Sequence, residues 1–234
     1  MLEIQSLDAS YGNVQVLKGL DLRVGAGEIV TLIGANGAGK STTLKCVSGL
    51  LRARSGVIRY QGEEIQNLPT HEVIQRGLVT IMEGRRLFPD LDVLENLRLG
   101  AYHCRSAREV ARRMDRVFTL FPDLKGREKQ LAASFSGGQQ QMIAIGRGLM
   151  AEPKLLMMDE PTLGLSPLMT QKVAAIIKAI QQDGITILLI EQNANMALRL
   201  ASRGYVLETG KIVMEGPGMA LLANDTIRRA YLGI

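Results

Sequence analysis

The spacing of apolar residues divides the chain into three stretches. In the first stretch, short apolar runs alternate with glycine-containing turns, which is typical of β-strands. The runs that we interpret as strands are 3–7, 20–24, 28–33, 57–60 and 78–82. After Gly39 the spacing becomes helical over 40–51. The first stretch is therefore predicted to be mostly β-structure with one helix.

The middle stretch, from about residue 85 to residue 150, contains segments with helical spacing. In the helix predicted over 106–121, apolar residues recur at i, i+4, i+7 and i+11, and Pro122 ends the helix. We predict two further helices over 93–99 and 136–150. Arginines occupy much of the remaining surface of the 106–121 segment, where we expect a solvated face: Arg105, Arg108, Arg112, Arg113 and Arg116.

The last stretch returns to an alternation of strands and helices. We predict strands at 155–158 and 186–190, helices at 168–182 and 195–201, and a hairpin over 205–214. Such alternation is typical of an α/β core. The chain is therefore predicted to be one α/β domain. Residues 1–84 and 152–234 form its core, and residues 85–151 form an inserted helical segment.

Composition restricts the class of protein without identifying it. The chain has 234 residues, 46% of them hydrophobic, which provides a large core and excludes intrinsic disorder. No apolar run approaches the roughly 20 residues of a membrane-crossing helix. Cys46 and Cys104 lie far apart, so we expect reduced thiols in a cytoplasmic protein. The net charge of +5 leaves polyanionic ligands, nucleic acid and anionic membranes open as partners.

The strand predicted at 28–33 leads through a glycine-rich loop into a helix. The loop matches the phosphate-binding (Walker A) pattern G-x-x-x-x-G-K-[ST] at every fixed position. With the next residue, Thr42, its members are the predicted nucleotide-binding residues: Gly34, Ala35, Asn36, Gly37, Ala38, Gly39, Lys40 and Ser41. Glycines let backbone N–H groups turn toward phosphate oxygens at a helix N-terminus. We expect Lys40 to reach the β- and γ-phosphates and Ser41 to ligate Mg²⁺.

The apolar strand at 155–158 ends in two acids, Asp159 and Glu160. A buried strand that delivers an aspartate beside a phosphate loop is how such enzymes hold Mg²⁺, so we expect Asp159 to be a metal ligand. Glu160 would face the γ-phosphate and orient or deprotonate the attacking water. Two acids at a strand end are common on their own, and the phosphate loop upstream is what makes this pair informative.

A third motif opens the helix predicted at 136–150, where Phe135 precedes Ser136, Gly137, Gly138 and Gln139. The serine caps the helix, and the glycines leave its first N–H groups open to an anion. With the three motifs in this order, the chain resembles the ATP-binding cassette (ABC) ATPase family, whose signature is LSGGQ. The resemblance covers essentially the whole chain. It implies a P-loop NTPase (RecA-like) core with an N-terminal antiparallel β subdomain and an inserted α-helical subdomain.

The resemblance also implies roles for individual residues. Tyr11 matches the aromatic residue that stacks on the adenine of ATP. Two cassettes of this family sandwich two ATP molecules, so residues 136–139 would face the nucleotide of the opposite subunit. Gln192 replaces the switch histidine and can hydrogen-bond a γ-phosphate without becoming a cation. Glu83 replaces a glutamine and would ligate Mg²⁺ as an anion, and Ser166 stands where aspartate is usual.

These departures narrow the resemblance to the branched-chain amino acid importer ATPases, closest to their second, F-type subunit. The similar segments are 83–86, 163–167, 191–193, 205–210 and the ending Ala230-Tyr231-Leu232-Gly233. The resemblance implies ATP hydrolysis that powers uptake of branched-chain amino acids through two membrane permease subunits. The chain would then lie at the inner face of the cell membrane, with a second ABC ATPase subunit, identical or not. A periplasmic amino-acid-binding protein would be an indirect partner.

The loop that follows Glu83 joins the predicted core to the helical segment. We expect it to expose Arg85, Arg86, Leu87 and Phe88. Apolar residues rimmed by arginine suit a groove that receives a short helix of the permease. The alternative is that Leu87 and Phe88 only pin the helical segment to the core.

Other functions stay open on these residues. One is an ATPase of another ABC system, such as lipopolysaccharide export. Another is an ABC ATPase that acts on nucleic acid or ribosomes. Such proteins usually carry paired cassettes or a long coiled coil; this chain has one cassette and no heptad run, so we expect no nucleic acid partner. The last is a cassette that binds ATP but leaves hydrolysis to its partner, as Gln192 and Ser166 suggest; Glu160 argues against it.

Overall fold

A computed structural model describes residues 1–232 of the chain, so Gly233 of the C-terminal motif lies outside the described residues. The strands are β1 Leu2–Tyr11, β2 Val14–Val24, β3 Ile29–Ile33, β4 Ser55–Tyr60, β5 Glu63–Glu64, β6 Leu78–Ile81, β7 Leu155–Asp159, β8 Thr186–Ile190, β9 Arg203–Glu208 and β10 Lys211–Pro217. The helices are α1 Lys40–Val47, α2 Thr70–Gln75, α3 Val93–Gly100, α4 Ala107–Leu120, α5 Gly137–Leu149, α6 Pro167–Gln182, α7 Ala194–Leu200, α8 Gly218–Ala223 and α9 Asp225–Ile227. Short 3-10 turns lie at Pro122–Leu124 and Ala132–Ser134, and a π-type turn at Arg228–Leu232.

Two sheets form the frame of the molecule. The first is antiparallel, with strand order β2-β1-β4-β5. The second has the order β10-β9-β3-β8-β7-β6 and is parallel from β9 to β6. This is the expected α/β fold with an antiparallel β layer, and the carboxyl ends of β3, β7 and β8 lie side by side.

The parallel sheet is buried on both faces, which explains the continuous apolar runs of its central strands. Every residue of β3, β7 and β8 is buried. Alternate side chains enter two different apolar clusters: Ile29 and Ile33 pack with helices α5, α6 and α7, whereas Val30 and Leu32 pack with β1 and β2. The interior positions of these three strands are all apolar except Thr31, whose hydroxyl donates a hydrogen bond to the carbonyl oxygen of Leu189.

The segment between β6 and β7 contains α3, α4 and α5 and no strand among its described residues. Helix α3 begins with a capping box between Asp92 and Glu95, and Ser106 caps α4 through the backbone N–H of Glu109. Helix α5 packs against both α3 and α4. The division at residues 85 and 151 stays a prediction.

Several elements differ from those predicted. Helix α1 ends at Val47 instead of residue 51, because Gly49 has a φ of 73° and turns the chain back. The elements β5, α2 and α8 were not predicted, since a segment of two to six residues shows no measurable periodicity.

The arginine-rich face of α4 is also less solvated than expected. Arg113 is half-buried and donates from Nη1 to the carbonyl oxygen of Met150 at 2.9 Å. It forms ion pairs of 2.9 Å with Glu109 and with Glu152, and Arg112 contacts the same two acids. These arginines therefore tie α4 to the residues that follow α5.

Both cysteines are free thiols, and burial raises the pKa of Cys46 to about 11. Among residues 1–232, none of the helices is both long and apolar enough to cross a membrane.

The packing of α3 on α5 generates a stability prediction. A Cβ atom at Gly100 would overlap the carbonyl oxygen of Arg147 and lie 2.9 Å from the Cβ of Met150. We expect Gly100→Ala to lower the free energy of unfolding by about 1–3 kcal/mol, because neither backbone segment has room to move. Urea denaturation measures this change. Gly216→Ala is the control, since its nearest neighbour would lie 3.8 Å away. Equal stability of the two variants would contradict the close approach.

Candidate nucleotide-binding site

The phosphate loop joins the end of β3 to the start of α1. Gly37 and Gly39 have φ values of 80° and 114°, in the region that side chains other than glycine rarely adopt. A Cβ at Gly34 would overlap the carbonyl oxygen of Leu207, so this position also requires glycine. No side chain accepts a hydrogen bond from the first turn of α1 in the described chain. The backbone N–H groups at a helix N-terminus of this kind are suited to binding an anion.

Lys40 is buried beneath this loop, with 4% of its side chain exposed. Its Nζ donates to the carbonyl oxygens of Gly34 at 2.9 Å and Ala35 at 3.2 Å. It also lies 3.5 Å from Oε1 of Glu160. The ammonium group is thus held inside the curve of the loop and faces the carboxylate at the end of β7.

Ser41 and Asp159 meet at the same edge of the sheet. The Ser41 Oγ donates to Oδ1 of Asp159 at 3.0 Å. Burial raises the pKa of Asp159, the Ser41 hydrogen bond opposes that shift, and the negative charges of Glu160 and Glu83 add to it. A carboxylate in this environment is stabilised by a nearby cation.

The donors at this edge fit Mg²⁺. Hydroxyl and carboxylate oxygens are the hard ligands that Mg²⁺ prefers, and it usually takes only one or two carboxylates beside phosphate oxygens and water. Consistent with so sparse a set, no group of three or more His, Cys, Asp or Glu residues within the described range is arranged to hold a metal ion by itself.

A cavity of about 450 Å³ opens over the phosphate loop, Glu160 and the loop after β8. Its lining residues are Tyr11, Val16, Asn36, Gly37, Gly39, Lys40, Ser41, Thr42, Glu83, Glu160, Leu163 and Gln192. The fold therefore brings together residues from five separate segments of the chain. Tyr11 lies at the rim, 43% exposed, and its hydroxyl accepts a hydrogen bond from Nζ of Lys45 at 3.3 Å.

The motif at residues 136–139 lies elsewhere. Ser136 caps α5 and exchanges hydrogen bonds with Gln139 in a capping box. A Cβ at Gly138 would overlap the side chain of Met169 in α6. None of the four residues lines the phosphate-loop cavity. The motif is therefore not part of the cavity over the phosphate loop of its own chain.

The loop after Glu83 differs from the expectation that all four of its residues are exposed. Arg86 and Phe88 are exposed, Phe88 by 51%. Leu87 is half-buried against the main apolar cluster, and Arg85 is half-buried with its Nη1 donating to Oε1 of Gln140 at 3.1 Å. The reason is that α5 holds the loop close to the helical segment: Arg147 of α5 donates hydrogen bonds to the carbonyl oxygens of Arg85 and Arg86.

An apolar groove of about 560 Å³ lies beside this loop. Phe88, Leu99 and Tyr102 line it with exposed fractions of 51%, 41% and 82%. Arg86 and Arg147 form part of its wall. The groove is thus an exposed apolar surface with a cationic border.

One buried acid near the cavity was not singled out from the sequence. Glu191 follows β8 directly and is 2% exposed. Asp159 lies at the end of the neighbouring strand β7. In the sequence, Glu191 and Asp159 are marked by the same pattern: each is a charged residue that directly follows a run of apolar residues.

Comparison with known proteins decides the family. A model of the ABC transporter family matches residues 17–163, which is more than half of the chain. The chain is 49% identical over 233 residues to BraG of Pseudomonas aeruginosa, described as a high-affinity branched-chain amino acid transport ATP-binding protein, with 100% of both chains covered. The chain belongs to the ABC transporter family. It is an ATPase of that family.

Solved structures of ABC cassettes share the fold of this ABC ATPase. The ADP conformation of MJ1267, an ATP-binding cassette of an ABC transporter, matches with a TM-score of 0.90 and 26% identity, covering 100% of this chain and 99% of the other. A dimeric post-hydrolysis state of the cassette MJ0796 bound to ADP and Pi matches with a TM-score of 0.83 and 25% identity, covering 93% and 98%.

The raised pKa of Asp159 in this ABC ATPase predicts a gain in stability from Asp159→Asn. A carboxyl group whose pKa is raised by folding lowers the stability of the folded state at pH values above its unfolded-state pKa, whereas below that pKa it is protonated in both states. Without nucleotide or Mg²⁺, we expect the variant to melt about 2–4 °C above the wild type at pH 7, with the difference vanishing toward pH 3.

Thermal unfolding across this pH range measures the difference. Asp90→Asn, which changes an exposed acid, serves as the control and is expected to leave the melting temperature unchanged. If Asp159→Asn melts below the wild type at pH 7, burial of the Asp159 carboxylate does not lower the stability of the folded chain.

Proposed function

We propose that this chain binds Mg²⁺-ATP and hydrolyses it to power uptake of branched-chain amino acids through a membrane permease. The observation that carries the hydrolytic part is the convergence of Lys40, Ser41, Asp159 and Glu160 at one edge of the parallel sheet. The cargo is inferred from BraG, whose likeness extends over the full length of both chains.

The phosphates of ATP bind in the loop at 34–39. Its glycines let the backbone N–H groups surround phosphate oxygens, and Lys40 contributes a positive charge. Asn36 and Thr42 complete the cavity wall. The Tyr11 ring at the rim is 43% exposed and would stack on adenine.

Ser41 and Asp159 would hold Mg²⁺, and Glu83, which lines the same cavity as Ser41, would be a further ligand. When bound, the ion neutralises charge that develops on the phosphate oxygens. The pairing of Ser41 with Asp159 keeps both oxygen donors in place before the ion arrives.

Glu160 and Gln192 act on the attacking water. Glu160 accepts a proton as the water oxygen bonds to the γ-phosphorus and the bond to the bridging oxygen of ADP breaks. The products are ADP and phosphate. Gln192 hydrogen-bonds the γ-phosphate as a neutral amide, so it positions the phosphate without adding charge.

A complete site requires two chains. Residues 136–139 lie outside the cavity of their own chain, and their helix N-terminus suits the γ-phosphate held by an opposite subunit. The partner is a second ABC ATPase subunit, identical or related. The dimeric form of MJ0796 supports this arrangement.

The groove beside Phe88 is the docking surface for the permease. Its exposed apolar side chains and cationic border suit a short amphipathic helix from a membrane subunit. The chain would then lie peripherally on the inner face of the cell membrane. A periplasmic amino-acid-binding protein delivers cargo on the other side without contacting it.

The alternatives have less support. Lipopolysaccharide export would require a different cargo from the one that BraG's description gives. A cassette that leaves hydrolysis to its partner is suggested by Gln192 and Ser166. However, Ser166 caps α6 through the backbone N–H of Met169, and Glu160 faces Lys40 in the cavity.

Replacing the proposed base tests the hydrolytic assignment. We expect Glu160→Gln to lower the rate of ATP hydrolysis at least about 100-fold, because the water loses its proton acceptor. The variant should still bind Mg²⁺-ATP and form dimers in sedimentation experiments. Glu63→Gln, an exposed acid in β5, is the control.

Two results would count against this proposal. Hydrolysis by Glu160→Gln at the wild-type rate would exclude Glu160 as the base. A variant that stays monomeric with ATP, alone and with every ABC ATPase partner offered, would exclude the shared site.

Phe88→Ala tests the docking surface and the cargo together. In cells whose leucine uptake depends on this chain, we expect uptake to fall at least about tenfold, because an anchoring aromatic is removed from the groove. Hydrolysis by the purified chain should stay within about twofold of the wild type, as expected for an exposed residue outside the cavity. Met219→Ala changes another exposed apolar side chain and is the control. Unchanged leucine uptake in Phe88→Ala, or an unfolded variant, would refute the docking role.

A further inference from the structure

The backbone at Glu160 is held in a disfavoured conformation. Its φ is 47°, in the left-handed region that is unfavourable for residues other than glycine. Such a conformation persists only where surrounding contacts over-determine it. One of these contacts is the Glu160 N–H, which donates to the carbonyl oxygen of Ile190 at 2.8 Å.

A second contact lies two residues further along. Oε1 of Glu191 accepts hydrogen bonds from the backbone N–H of Thr162 at 3.0 Å and from its hydroxyl at 2.7 Å. Oε2 of Glu191 accepts from the backbone N–H of Asn193 at 3.4 Å. One carboxylate thus joins the loop after β7, which carries Glu160, to the loop after β8, which carries Gln192.

Burial of the Glu191 carboxylate lowers the stability of the folded chain. Burial raises the pKa of Glu191, the charge of Glu160 adds to the shift, and the hydrogen bonds from Thr162 and Asn193 oppose it. No Lys or Arg forms an ion pair with it in the part of the chain that is described. A buried acid that opposes stability is more readily explained by function.

We propose that Glu191 is a positioning residue, which fixes Glu160 and Gln192 relative to each other across the γ-phosphate site. The inference rests on the proposed roles of Glu160 and Gln192 in hydrolysis. A carboxylate base works only within hydrogen-bond reach of the water, and a displacement of about 1 Å lowers the rate by as much as 100-fold. Both residues adjoin segments that Glu191 holds directly.

The test compares Glu191→Ala, Glu191→Gln and Thr162→Val in the purified full chain. For each variant, kcat and KM for Mg²⁺-ATP are measured together with the melting temperature. We expect Glu191→Ala to lower kcat about 10- to 100-fold, with KM within about twofold of the wild type, because the phosphate loop is untouched. Glu191→Gln keeps an acceptor for Thr162, so it should retain more activity than the alanine variant. It should also melt at a higher temperature than the wild type, since a buried charge is removed.

Thr162→Val removes only the hydroxyl bond and should lower kcat about threefold to tenfold. It also carries the test if Glu191→Ala does not fold. Thr31→Val is the matched control, because Thr31 is fully buried and donates to the carbonyl oxygen of Leu189 within the sheet at 2.9 Å. This control should lower the melting temperature and leave kcat unchanged.

Three outcomes overturn the inference. The first is a wild-type kcat in the Glu191 and Thr162 variants. The second is a decrease in their kcat that is no larger than the decrease in Thr31→Val. The third is a decrease in kcat/KM that comes only from a raised KM. Glu160→Gln separates the two levels of the argument. If it is inactive while Glu191→Ala is active, only the positioning role fails; if it is fully active, the proposed hydrolytic mechanism fails as well.

Discussion

The constraint on which the structure depends is the burial of charge at one edge of the parallel sheet. Lys40, Asp159 and Glu191 are each less than 5% exposed, and Glu160 lies between them. Ionised groups removed from water need partners, and here the partners lie in helix α1 and in the loops that follow β3 and β7. Ser41 donates a hydrogen bond to Asp159, and Thr162 donates to Glu191. The carbonyl oxygens of the phosphate loop accept hydrogen bonds from Lys40. The ends of β3, β7 and β8 are held side by side to make these contacts, and the apolar clusters on both faces of the sheet keep them there.

Elsewhere in the molecule, backbone segments approach each other closely at glycine residues, and these contacts connect the site to other elements. Glycine at position 34 lets the phosphate loop touch Leu207, and glycine at position 100 lets α3 touch α5. Through Arg147, α5 also holds the loop that begins at Glu83. In the proposed mechanism, Glu83 lies beside the metal ion and residues 136–139 face the opposite subunit. The hydrogen bonds of Arg147 link the loop that begins at Glu83 to α5, which begins directly after Ser136.

The central site was predictable from the sequence because each of its parts has a local signal. Glycine spacing marks the phosphate loop, and an apolar run that ends in acids marks β7. Other features depend on contacts between distant segments. Leu87 and Arg85 are drawn inward by α5, and Arg113 is buried by Glu109 and Glu152, which no local pattern encodes. Strand β5 and helix α2 are too short for periodicity. The strained φ of Glu160 follows from its hydrogen bond to Ile190, a contact across the sheet.

The most direct test of this account is the affinity of the wild-type chain for ATPγS, measured by calorimetry with Mg²⁺ and with EDTA. In a site that buries Asp159 beside Ser41, a divalent cation that enters with the nucleotide adds a favourable interaction with the Asp159 carboxylate. The account predicts binding at least about tenfold tighter with Mg²⁺, a difference of roughly 1.4 kcal/mol. It also predicts that this difference disappears in Ser41→Ala. Equal affinity with Mg²⁺ and with EDTA in the wild type would contradict it.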